Sequence, residues 1–212
     1  MYFLKKKLWC LLLLLVYPFV TAGFEGKIMM VKKTYYDTSY IQFFVKGNQV
    51  RIDNYTSNEE LGNTLIINTK SEKAYLLDFE RMKYTELHIP PASSEKADNY
   101  KILKTKNFKK INGIKCYQWR VRNRKKNSEV AFWVARKDLD FFNKLIPILS
   151  HISGTYEFYE RIHGKTNYFP FMIVERSLLR KERQRLAVVD IQSTSVNNGM
   201  FNIPDSFIEV KR

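Results

Sequence analysis

Residues 111–152 read INGIKCYQWRVRNRKKNSEVAFWVARKDLDFFNKLIPILSHI, and how this stretch is read decides the fold. Tyr117, Trp119 and Val121 alternate with Cys116, Gln118, Arg120 and Arg122. That is the period of two of a half-buried antiparallel strand. Asn112-Gly113 ahead of it predicts a turn, because both residues tolerate positive φ. The run Arg122 to Asn127 is basic, holds no apolar residue, and predicts the solvated tip of a hairpin. In the return strand Val130, Phe132 and Val134 alternate with Ala131, Trp133 and Ala135. Both faces are apolar, so both should be covered. The following segment supplies one cover. Leu139, Phe142, Leu145, Ile146, Leu149 and Ile152 recur at spacings of three and four and share one helical stripe. Asp138 is the expected N-cap and Gly154 the expected stop. Pro147, lacking an N–H, predicts a kink or a break into two short helices.

Toward the N-terminus, six short alternating segments lie between Gly23 and Leu87, separated by turn signals such as Gly47-Asn48. This spacing marks antiparallel hairpins or a meander. Ile89 to Asn99 breaks the series and reads as a loop, or at most a short helix, that could act as a flap. Beyond the helix, Tyr156 to Ile162, Phe169 to Leu179 and Arg183 to Val196 read as further strands. Phe201 and Ile203 read as plugs closing the domain. The expectation is a mainly β protein: a curved antiparallel sheet of roughly nine to eleven strands, with the helix Asp138 to Ile152 on its concave side.

Residues 1–22 stand apart. Lys5, Lys6 and Lys7 precede an almost continuous apolar run from Leu8 to Val20, and small residues follow at the cleavage position. This is the pattern of a secretory signal cleaved after Ala22. An uncleaved anchor is the alternative, although the run is short for a membrane span. Cys10 lies in no small-residue lipobox context. Residues 23–212 are read as a single exported domain, in the periplasm or cell envelope. Its one cysteine, Cys116, forms no internal disulfide and reads as a small buried hydrophobe.

The formal net charge is +15, and removing the three signal lysines leaves +12. An exported basic protein meets anionic membrane surfaces rather than nucleic acid. The basic clusters Arg120 to Lys126 and Arg176 to Arg185 are read first as solvated charge, and second as a membrane-docking patch. Catalytic signatures are missing from the sequence. His88, His151 and His163 lack metal-ligand spacing. No nucleophile elbow, phosphate loop or dinucleotide fingerprint occurs. No cofactor and no enzymatic activity are expected.

The opening FEGKIMM, the segment VKGNQVRID, the central INGIKCYQW followed by EVAFWVARKDL, and the terminal FNIPDSF together resemble a bacterial family of exported proteins of unknown function. That family is placed near the LolA/LolB lipoprotein-carrier superfamily. The resemblance implies an incomplete antiparallel β-barrel whose open concave side is covered by helices. In the carriers the cavity holds acyl chains. No position matches the carriers' functional residues, so none is carried over.

Two functional expectations follow. One is a binding module that holds a lipid, lipoprotein acyl chain or other apolar ligand between sheet and helix. Phe142, Leu145, Ile146 and Leu149 would form the lid, with Phe132 and Val134 below. The other is a non-catalytic structural or interaction protein of the envelope, with those same side chains meeting in a filled core.

Overall fold

The computed structural model describes residues 23–90 and 99–211. The expected signal segment and most of the expected flap lie outside the described residues. Twelve strands form one sheet. β1 (Glu25–Thr34) through β6 (Lys83–Leu87) form a meander, with β2 (Thr38–Lys46), β3 (Gln49–Tyr55), β4 (Leu61–Asn68) and β5 (Lys73–Asp78) between them. β7 (Tyr100–Ile111), β8 (Ile114–Asn123) and β9 (Ser128–Arg136) form a second meander, extended by β10 (Tyr168–Ser177) and β11 (Glu182–Ser193). β12 (Ile208–Glu209) completes the set. The order across the sheet is β12-β6-β5-β4-β3-β2-β1-β11-β10-β9-β8-β7. Pairing of β1 with β11 joins the two meanders. Every neighbouring pair is antiparallel except β12 with β6, which is parallel. The sheet is therefore the expected curved, open half-barrel, one strand longer than the upper expectation.

The organising stretch folds as its alternation indicates. Tyr117 pairs with Val134, Trp119 with Phe132 and Val121 with Val130. Asn112 and Gly113 both take positive φ at the turn. Both faces of β9 are covered: Val130, Phe132 and Val134 are fully buried, and Ala131 and Ala135 nearly so. Trp119 is buried, while Trp133 is partly buried beneath the Lys109 ammonium, 4.2 Å from its ring.

Two helices lie on the concave side. α1 (Asp140–Ile152) buries Phe141, Phe142, Leu145, Ile146, Ile148 and Leu149 in the core shared with β8, β9 and β10. Its start differs from expectation. Leu139, not Asp138, is the N-cap and makes no side-chain cap bond, while Asp140 supplies the first-turn carboxylate. Pro147 is accommodated within the helix. The interruption falls instead at Ser153, whose extended backbone ends α1 and starts α2 (Gly154–Glu160). Tyr156 to Glu160, expected in a strand, is helical. Thr155, Tyr156, Phe158, Tyr159 and Ile162 are the buried residues there. Their spacing of one, three, four and seven is that of a helix face. Tyr159 is fixed against Phe132 (ring centroids 5.0 Å) and Phe142 (5.6 Å), and its hydroxyl donates to the Tyr168 carbonyl.

The convex face of the first meander has its own cover. After β11 the chain crosses it as a strap. Val196 and Phe201 pack on Phe44. Phe207 packs on Ile66 and Leu77, with Ile203 beside them. Both expected plugs, Phe201 and Ile203, therefore seat on the outer face. Lys46 donates to the Val196 carbonyl and Arg51 to that of Met200, fixing the strap's path.

Candidate ligand cavity

The helices are too short to roof the whole sheet. Twelve strands at ~4.8 Å spacing span roughly 50 Å along the hydrogen-bonding direction. Thirteen helical residues span about 20 Å. α1 lies over the β8–β10 half, and there the space is filled. Phe142 meets Phe169 with ring centroids 4.8 Å apart, and Phe169 meets Phe171 at 5.6 Å. Over β1–β6 the inner face extends past the end of α1 and leaves a cavity of about 800 Å³. Its apolar floor is Ile41, Phe43, Ile52, Leu65, Leu76 and Leu186. Its roof is the helix junction: Leu149, Ile152, Ser153, Thr155 and Tyr156.

The strand register explains this floor. Leu65 sits between Ile52 on β3 and Leu76 on β5, and Phe43 lies opposite Ile52. These residues occupy alternate positions on one face, which becomes polar toward one end. There Lys32 and Ser39 lie opposite each other on β1 and β2. Nearby, Asn54 Nδ2 donates to Asn63 Oδ1 at 2.8 Å. All four border the cavity. His88 and His151 also border it, with Leu87 and Ile89 at the β6 side. The structure thus brings two of the three separated histidines to one rim. Among the described residues, no group of three or more His, Cys, Asp or Glu side chains could hold a metal ion.

A polar network braces the roof. Glu175 on β10 accepts hydrogen bonds from Thr155 Oγ1 (2.9 Å), Gln184 Nε2 (2.8 Å) and Ser128 Oγ (3.0 Å). Arg183 Nη1 lies 3.6 Å from the same carboxylate. Burial pushes its pKa up, but these hydrogen bonds and the Arg183 charge outweigh that, and the carboxyl is held below its ordinary range. Thr155 and Gln184 both border the cavity, so the network anchors the first turn of α2 over the sheet. A second anchor joins Glu157 to Lys126 at 2.6 Å and to the Tyr100 hydroxyl.

Of the six lid and floor residues expected from sequence, Leu149 borders the cavity. Phe132, Val134, Phe142, Leu145 and Ile146 lie in the packed core under α1, each no more than 2% exposed. The floor residues Ile41, Phe43, Ile52 and Leu65 belong to the first meander, which sequence reasoning treated as plain sheet. The usable signal was the change of its inner face from apolar to polar at Lys32, Ser39, Asn54 and Asn63.

Each basic cluster is partly compensated by a carboxylate shared between two arginines. Arg120 and Arg122 share Glu129 at 2.6 and 2.7 Å. Arg176 and Arg185 share Glu182 at 3.0 and 2.9 Å. Cys116 is fully buried, and burial pushes its thiol pKa up to about 11. The thiolate required of a nucleophile is therefore scarce at neutral pH.

Fold and cavity define a class: an open antiparallel half-barrel with a hollow partly roofed by helices. Within it, residues 24–207 match the model of a domain of unknown function (DUF4412), and the chain belongs to that family. Among solved structures it is similar to an uncharacterized conserved protein from Thermus thermophilus. That match has a TM-score of 0.55 and 9% identity, covering 89% of this chain and 91% of that one. It is also similar to a chain of the Pseudomonas aeruginosa MucA/MucB complex, with a TM-score of 0.52 and 8% identity over 85% of this chain and 56% of that one. A third similarity is to PNGF-II, with a TM-score of 0.51 and 9% identity over 90% of this chain and 32% of that one. At such identities the likeness is one of fold. No curated protein matches the sequence.

Proposed function

We propose that this protein is exported, acts as a single domain from residue 23, and holds the apolar chain of a lipid or lipoprotein without transforming it. The observation that carries this reading is the cavity of about 800 Å³ with an aliphatic and aromatic floor. That volume falls within the ~300–1,000 Å³ usual for small-molecule sites. Each methylene moved from water onto such a floor gains about 0.8 kcal/mol. A dozen would gain roughly 10 kcal/mol before the costs of association. The resemblance to a family of exported proteins placed near the lipoprotein carriers supports an envelope role. Among the described residues, no helix is long and apolar enough to cross a membrane.

The test is native mass spectrometry of the protein purified gently from its own cell envelope. The expected result is an added mass of lipid size that is lost on denaturation. A bare mass, together with no uptake of a fluorescent fatty acid, would overturn the reading.

One observation favours a second role beside it. β7 is an open sheet edge on which Leu103 and Phe108 are 50% and 56% exposed, with Lys115 over the Phe108 ring at 4.2 Å. Apolar side chains among lysines suit contact with an anionic membrane surface. Sedimentation with anionic but not neutral vesicles, abolished by Phe108→Asp, is the expected result. Equal sedimentation with both kinds would remove it.

A further inference from the structure

The polar end of the cavity has a chemical consequence for the ligand. Lys32 projects from the inner face of β1 at the cavity wall and is half-buried. Its strand neighbours are Leu186 on β11 and Ser39 on β2, directly opposite on each side. Side chains directly opposite across antiparallel strands stand about 4.5–5.5 Å apart at Cβ. The Lys32 ammonium and the Ser39 hydroxyl can therefore reach one common point in the cavity.

The other charged groups around the cavity are already engaged. Glu86, the lining carboxylate, pairs with Lys73 at 3.3 Å. Glu175, behind Thr155 and Gln184, accepts three hydrogen bonds and faces Arg183. Asn54 is occupied with Asn63. The Lys32 side chain makes no hydrogen bond or ion pair with any described residue. Among the described residues, Lys32 therefore carries a charge at the cavity wall that the head group of an incoming anion can pair with.

We propose that the cavity is selective for an anionic amphiphile. Its chain lies on Ile41, Phe43, Ile52, Leu65 and Leu76, and its head group is received by Lys32 and Ser39. The shared chemistry is a carboxylate or phosphate oxyanion on a single apolar chain. This rests on the proposed ligand-binding reading and narrows it, because a neutral acyl ester would leave Lys32 unpaired.

The test is displacement of N-phenyl-1-naphthylamine, a neutral apolar fluorophore, from the cavity by four competitors. Palmitate and lysophosphatidate carry the two oxyanions. Hexadecanol and monopalmitoylglycerol are their neutral counterparts. At neutral pH an anion should displace the probe at a concentration about tenfold lower than its neutral counterpart, the scale of one charge-assisted hydrogen bond. Whichever anion shows the larger advantage identifies the head group. Lys32→Met should abolish the advantage of each anion over its neutral counterpart, and Lys32→Arg should retain it. Probe binding in each variant reports that the cavity is intact. Equal displacement by anion and neutral counterpart in the wild type would overturn the head-group assignment while leaving the cavity reading standing. Failure of the probe to bind and of all four lipids to bind, as seen by calorimetry, would overturn the cavity reading itself, and the assignment with it.

Discussion

Glu175 shows how much one buried side chain holds in place. It links β10, β9, β11 and the first turn of α2 through Ser128, Gln184 and Thr155. Its carboxyl is held below its ordinary pKa because those hydrogen bonds and Arg183 outweigh the effect of burial. A carboxyl depressed in the folded state stabilises the protein above its unfolded pKa, and that contribution fades as pH falls through the folded value. The midpoint of thermal unfolding should therefore fall below about pH 4.5, and Glu175→Gln should fall less steeply. At neutral pH, Glu175→Ala leaves buried donors without an acceptor and should cost about 1–3 kcal/mol. Gly26 is a second sensitive residue. A Cβ placed there would lie 2.1 Å from the Gln192 carbonyl oxygen on the neighbouring strand. Gly26→Ala should lower stability by roughly 1–3 kcal/mol, read as a lower urea midpoint at unchanged slope. Neither role was legible in the sequence. Glu175 stands in an ordinary strand pattern, and the closeness of Gln192 to Gly26 arises from pairing across the whole chain.

At the scale of elements, alternation and turn chemistry carried most of the fold. Asn112-Gly113 and Gly47 take the positive φ their turns require, and the strands flanking them are where periodicity placed them. α1 was legible from its stripe because a spacing of three and four is peculiar to helices. α2 was misread as a strand because its aromatic residues favour strands when taken singly, while the helical spacing of its buried positions extends over only two turns. β12 carries almost no signal of its own: two residues pair with β6 after the strap has already been seated by Phe207. α1 itself gives a test that separates packed from open space. Leu145 is fully buried between sheet and helices, whereas Leu149 borders the cavity. Leu145→Phe should strain the core by about 1–3 kcal/mol. Leu149→Phe should leave the chemical-denaturation midpoint nearly unchanged, because its added volume has the cavity to enter. Equal losses at both positions would mean that the helix end is as tightly packed as its middle.

Across the whole molecule, one sheet serves two purposes. Its β8–β10 half is closed by an aromatic cluster centred on Phe142 and Tyr159, and its β1–β6 half stays open beneath the helix junction. The sequence marks which side chains face inward. It does not reveal which of those the helices reach, because that depends on the helices' lateral position over a sheet much wider than they are. This is why five of the six expected lid and floor residues lie in the filled half. The central claim is that the open half binds an apolar chain. The most direct measurement is titration with a fluorescent fatty acid of the wild type and of Leu76→Trp, which adds bulk to a partly exposed floor position. Saturable uptake by the wild type, reduced at least about tenfold in a Leu76→Trp protein of unchanged melting temperature, is the expected result. No uptake by the wild type, or equal uptake by a folded Leu76→Trp, would contradict it.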